Sequence, residues 1–174
     1  MNADEIPLWI VDLEGDDPKK CSAKKLIRFS MARKVNSIYK FPPRTVLLHP
    51  YAKTALSPLD RPNTQKKGIG IIDCSWRNAE RIFSKRILSS KYESRALPFL
   101  LAANPSYWGK PFRLSTLEAF SAALYITGFR DQARRILRIY TWGNNFIELN
   151  EEILKCYSEA LDSSEIISIQ SQYL

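Results

Sequence analysis

Two short runs with almost no polar interruption constrain this chain most. Leu8, Trp9, Ile10, Val11 and Leu13 make up the first. Residues 69–74, β-branched and bounded by Gly68, make up the second. Runs this short read as mostly buried strands and not as helices. A third strand is expected over residues 45–48, after Pro42-Pro43 stops regular structure and before His49-Pro50 ends it. Helix signals alternate with these runs. A helix starting within residues 19–22 would bury Leu26, Ile27, Phe29, Met31 and Ala32 and leave Lys24, Lys25, Arg28 and Arg33 wet. Ser75 is a plausible N-cap for a helix over 76–86. Residues 51–67 read as turn-rich and 97–103 as an apolar segment ending at Asn104-Pro105. The second half is richer in helix. Ser115 or Thr116 opens a helix over 117–126 closed by Gly128, a basic helix covers 131–140, another covers 146–161, and a short one ends the chain. The pattern predicts an α/β fold with two small domains, residues 1–94 and 95–174.

Charge is distributed unevenly between these halves. Residues 1–95 carry 19 Lys+Arg against 10 Asp+Glu, while residues 96–174 carry 7 against 8. Between Pro18 and Leu59 there are ten basic residues and no acidic one. A one-signed region of this length attracts a polyanion, although charge alone does not name it. No stretch approaches the roughly 18 apolar residues of a membrane span. The acidic opening residues lack a signal peptide's layout. Cys21, Cys74 and Cys156 are far apart and odd in number, which suits a reducing cytoplasm better than a disulfide framework.

Several kinds of chemistry lack their residues. His49 is the single histidine and no cysteine pair has metal-ligand spacing, so no metal site is expected. Neither GxxxxGK[ST] nor GxGxxG occurs, and Gly68-Ile69-Gly70 precedes a strand where a dinucleotide fingerprint would follow one. An enzyme of this composition would bind an activated donor and supply positioning.

Six strings in order then carry a resemblance. Asp16-Asp17-Pro18-Lys19-Lys20-Cys21-Ser22-Ala23-Lys24-Lys25-Leu26 is the first, followed by Ser57-Pro58-Leu59-Asp60 and Ile72-Asp73-Cys74-Ser75-Trp76. Next come Arg95-Ala96-Leu97-Pro98 with Ala102-Ala103-Asn104-Pro105, then Leu114-Ser115-Thr116-Leu117-Glu118-Ala119, then the block from Trp142 to Asn150. Together they resemble the small-subunit rRNA aminocarboxypropyltransferases in their compact archaeal form, over residues 8–157. The resemblance implies a C-terminal domain related to the knotted SPOUT methyltransferases. It also implies transfer of the 3-amino-3-carboxypropyl group of S-adenosylmethionine to N3 of a pseudouridine, usually N1-methylated, with methylthioadenosine leaving.

The sulfonium activates all three attached carbons, so the protein selects the product by the carbon it exposes. The resemblance puts Trp76 and Ala79 beside the methyl, and their i, i+3 spacing fits one helix face. Ser22 and Thr116, each at a helix start, are the expected partners of the donor carboxylate, although N-capping would select the same residue types. Leu97 and Phe112 match the adenine edge, Leu48, Pro50, Leu114 and Ala119 the ring's surroundings, and the Ile72 carbonyl the ribose contact. Asp73 is the expected acid–base residue at the reacting N3–H, or else a structural carboxylate at a strand end.

RNA, or a pre-ribosomal particle, is the expected partner. Lys19, Lys20, Lys24, Lys25, Arg28, Arg33 and Lys34 would neutralise phosphates, and Arg130, Arg134 and Arg138 recur every four residues as a second patch. The chain is expected to act as a monomer in the cytoplasm. Two other readings compete: an RNA methyltransferase using the same donor, and a non-catalytic RNA-binding assembly protein.

Overall fold

In a computed structural model of the chain, residues 5–13, 21–74, 83 and 91–174 are described. Five strands form one sheet in the order β2-β1-β4-β3-β5: β1 (Leu8–Asp12), β2 (Arg33–Lys34), β3 (Val46–Leu48), β4 (Ile69–Asp73) and β5 (Glu93–Arg95). Every pairing is parallel, with Leu8 opposite Ile69 and Asp12 opposite Asp73. Parallel neighbours need a crossover, and α1 (Ser22–Arg28) and α2 (Arg61–Lys67) supply two of them. Side-chain alternation divides the sheet's apolar residues between two clusters. Leu8, Ile10, Val46, Leu48, Ile69 and Ile71 face the main core, while Val11, Leu47 and Ile72 join Phe41, Phe83 and Tyr92 on the other side. Gly68 enters β4 at φ +84°, and a Cβ there would lie 2.2 Å from the Pro7 carbonyl oxygen. No other residue fits that position.

The second half supplies α3 (Thr116–Ile126), α4 (Arg130–Leu137), α5 (Asn144–Leu149), α6 (Glu151–Glu159) and α7 (Ser163–Gln170). Helix α3 is buried almost all round, which its apolar residues Leu117, Phe120, Leu124 and Ile126 require. Thr127 and then Gly128, at φ +88°, end it. The main core runs from Ile6 to Ile166 and takes residues from both sides of position 94.

Four sequence expectations change. The first helix stops at Arg28, because Ser30 adopts φ +56°, a left-handed conformation that ends it. Phe29 is therefore half exposed instead of core, and Arg33–Lys34 pairs with β1 as a strand. Second, the turn-rich stretch contains α2, preceded by a single 3-10 turn at Pro58–Asp60 in which Asp60 accepts the Ser57 N–H. Third, the strand at the β3 edge is the polar Glu93–Arg95, and the apolar segment 97–103 forms no strand. As an edge it is stabilised by charge, Arg95 pairing with Glu93 and with buried Asp60. Fourth, the expected helix over 146–161 breaks at Asn150. That side chain bonds Leu101 N–H and carbonyl and the Phe146 carbonyl, fastening the break to a neighbouring loop. The helix expected over 76–86 lies, Phe83 apart, outside the described residues.

Candidate functional site

Parallel strands end on one edge of the sheet, where the chain leaves each for its crossover; ligands bind such edges in open α/β sheets. Here a cleft of about 600 Å³ opens beyond the ends of β3, β4 and β5. Leu48, Pro50, Leu97 and Leu114 give it apolar walls, and Asp73, Arg113, Ser115 and Thr116 add polar groups.

Asp73 is where three elements meet. The carboxylate stands at the end of β4. One oxygen accepts the Thr116 hydroxyl from the start of α3. The other accepts the Cys21 thiol, 3.4 Å away, from the N-cap of α1. Two helix N-termini therefore face one carboxylate, an arrangement their dipoles favour. Ser22 completes the junction from behind, its hydroxyl accepting the Leu117 N–H at 3.2 Å.

Glu118 fixes the segment that carries Ser115 and Thr116. It is fully buried, and its Oε1 accepts the backbone N–H groups of Ala103 (2.6 Å) and Asn104 (2.9 Å). Its Oε2 accepts the Asn104 side-chain amide (2.8 Å) and the N–H and hydroxyl of Ser115 (both 2.7 Å). One carboxylate thus joins the Ala103-Asn104 and Ser115-Thr116 strings behind the cleft.

Cys21 is buried, and burial first, then the charge and hydrogen bond of Asp73, push its thiol from 9.0 to about 11. It stays protonated at neutral pH and can donate. The unfolded chain would release this proton near pH 9 and the folded chain near 11. Stability is therefore whole below pH 9 and lost as pH rises towards 11, by about 2–3 kcal/mol at most. Urea unfolding between pH 8 and 11 should show this loss, and it should shrink in C21S, whose hydroxyl does not titrate. Equal pH dependence in both proteins would refute the assignment.

Of the eleven positions that the resemblance assigns to the donor, eight line this one cleft: Leu48, Pro50, Ile72, Leu97, Phe112, Leu114, Thr116 and Ala119. Ser22 stands behind Thr116 and is not among the lining residues. Trp76 and Ala79 lie outside the described residues. Phe112 sits at φ +60°, a costly conformation for an aromatic residue, and its N–H is given to the Leu100 carbonyl.

The basic residues fall on adjoining elements. Lys24, Lys25 and Arg28 belong to α1, and the Lys25 ammonium lies 3.8 Å over the Tyr140 ring. This contact brings α1 beside the end of α4, where Arg138 is exposed. Lys34 pairs with Asp12 at 3.4 Å, and Arg130 donates to the Ser158 hydroxyl. Arg33 and Arg134 are exposed, while Lys19 and Lys20 lie outside the described residues.

The sequence reading did not single out Glu118, Asn104 or Cys21. The Ser115-x-x-Glu118 spacing of a capping box could have found the first. Cys21 stands in the first of the six strings, but its bond to Asp73 left no local signal, because the two are 52 residues apart.

Residues 46–174 match a family described as "Ribosome biogenesis protein, C-terminal". Residues 6–38 match a "Possible Fer4-like domain in RNase L inhibitor, RLI". That stretch has one cysteine and the whole chain three, so a four-thiolate iron–sulfur cluster does not fit it. The chain is 46% identical to a 16S rRNA aminocarboxypropyltransferase of Methanosarcina acetivorans over 99% of its own length and 97% of the relative's. It is 43% identical to one of Methanocaldococcus jannaschii over 96% and 95%. Its fold matches the structure of the SAM-dependent rRNA:acp-transferase Tsr3 from Vulcanisaeta distributa with a TM-score of 0.87 and 44% identity, covering 94% of this chain and 88% of that one. With such identity along both full lengths, the chain belongs to the 16S rRNA aminocarboxypropyltransferase family.

Proposed function

We propose that this chain transfers the 3-amino-3-carboxypropyl group of S-adenosylmethionine to N3 of a pseudouridine, with or without an N1-methyl group, in small-subunit rRNA, as a step in ribosome biogenesis. The observation that carries this reading is the convergence of eight expected donor positions on one cleft that ends at Asp73. Asp73 takes the N3 proton. The N3 electron pair then bonds to the γ-carbon of the aminocarboxypropyl arm, the carbon–sulfur pair returns to sulfur, and neutral methylthioadenosine leaves. Thr116 binds the donor's carboxylate through its backbone N–H at the start of α3, its hydroxyl staying on Asp73, with Ser22 bracing that terminus from behind. Trp76 and Ala79 shield the methyl group. Lys24, Lys25, Arg28 and Arg33 of the first half, with Arg134 of α4 and Arg138 just past its end, meet RNA phosphates. In the same reading the basic residues 1–94 and the SPOUT-like, knotted residues 95–174 are the two halves of a monomer working in the cytoplasm.

Small-subunit rRNA lacking the modification, incubated with the protein and either methyl-labelled or carboxyl-labelled S-adenosylmethionine, tests this. Carboxyl label alone should enter the RNA. Methyl label in the RNA would instead establish a methyltransferase.

A further inference from the structure

His49, the single histidine, stands on the cleft wall directly after β3 and is 1% exposed. Its Nδ1 accepts the Tyr51 N–H at 3.1 Å, so that nitrogen carries a lone pair. Burial lowers the ring's affinity for a second proton, which keeps it neutral. A neutral imidazole with an acceptor at Nδ1 carries its proton at Nε2. This Nε2 is buried and has no hydrogen-bond partner among the described residues. Buried donors without partners are rare, and one carried by a residue that lines a cleft is a candidate contact for a ligand atom.

The surroundings narrow the ligand's chemistry. Phe83 meets the imidazole edge-on at 4.7 Å and Tyr51 at 6.2 Å, and the chain neighbours are Leu48 and Pro50. An uncharged donor among apolar groups suits an uncharged acceptor. The cleft's ionic groups, Asp73 and Arg113, are on other segments. We infer that the His49 Nε2–H is a ligand-binding donor that reads an uncharged acceptor atom of a heterocyclic base held in the cleft. That atom is either a ring nitrogen of the donor's purine or a carbonyl oxygen of the pyrimidine that receives the group. The inference rests on reading the cleft as the nucleoside site.

An asparagine at this position keeps an acceptor near Nδ1 without the Nε2–H, whereas a glutamine keeps a donor near Nε2. H49N and H49Q are therefore compared by calorimetry with S-adenosylmethionine and methylthioadenosine, and by steady-state kinetics with rRNA. H49N should lose about three- to tenfold in one arm, while H49Q stays near wild type. Equal weakening of both nucleosides by H49N identifies the purine as partner. Unchanged nucleoside affinity with a raised KM for RNA identifies the pyrimidine. Variants that behave alike in both arms would overturn the inference and leave the N–H resting on the Phe83 ring. If H49N does not fold, H49F takes its place, keeping a ring against Phe83 without an N–H. Wild-type protein that binds neither nucleoside would overturn the reading of the cleft itself, before any variant is made.

Discussion

Replacing Glu118 with glutamine should lower the melting temperature by about 6–12 °C. The carboxylate is fully buried and receives five hydrogen bonds, three from backbone N–H groups, one from the Asn104 amide and one from the Ser115 hydroxyl. A glutamine keeps one oxygen and turns an NH₂ towards the donors at the other position. If the NH₂ replaces Oε1, it faces the N–H groups of Ala103 and Asn104. If it replaces Oε2, the Ser115 hydroxyl can rotate to accept, but the Ser115 N–H and the Asn104 amide cannot. Either way two buried donors lose their acceptor, at a cost of about 3 kcal/mol. In a domain of this size that is about 2–4 °C per kcal/mol. Thermal unfolding measures it, and a shift under about 2 °C would show that the site relaxes by admitting water. Affinity for the donor should fall as well, because Glu118 holds the segment from which Ser115 and Thr116 line the cleft.

Glu118 also shows what the sequence could and could not disclose. The central strands were legible because strands buried on both faces are near-continuous apolar runs, as Leu8–Asp12 and Ile69–Asp73 are, although their parallel pairing was not read from them. Helix α3 was legible from its cap and its apolar length. The edge strand Glu93–Arg95 was not, because its stability comes from pairing with β3 and from Arg95 meeting Asp60 and Glu93, contacts that leave no local pattern. Asn150 escaped for a related reason. An asparagine within a helical stretch reads as a solvated residue until the loop at Leu101 is seen to take both ends of its amide. Most of the expected donor positions line the cleft because the ordered strings record segments, and segments keep their places at the ends of strands. The contacts that brace those segments, such as Cys21 to Asp73 and Ser22 to Leu117, join residues 52 and 95 positions apart and were invisible to spacing.

Asp73→Asn should reduce kcat by at least about 100-fold, the loss typical of removing a general base, with little change in affinity for S-adenosylmethionine. The distinction matters because Asp73 has two roles available to it, holding helices or accepting a proton. The substitution separates them. An asparagine keeps one oxygen for the Thr116 hydroxyl, and its NH₂ can meet the Cys21 sulfur, a weak acceptor once its own proton rotates away. The junction of β4, α1 and α3 therefore survives, while the capacity to take the N3 proton is lost. Donor affinity should stay within about threefold of wild type, the change expected when one modest hydrogen bond is altered. Turnover with small-subunit rRNA that lacks only the aminocarboxypropyl group and calorimetry with the donor read the two quantities independently. The opposite split, with donor affinity weakened and kcat preserved at saturation, would make Asp73 a positioning residue for the donor. The proton would then go to solvent, which is chemically open to it because a ring imide such as pseudouridine N3–H is already a weak acid. Asp73 would in that case act through the two helix termini it joins.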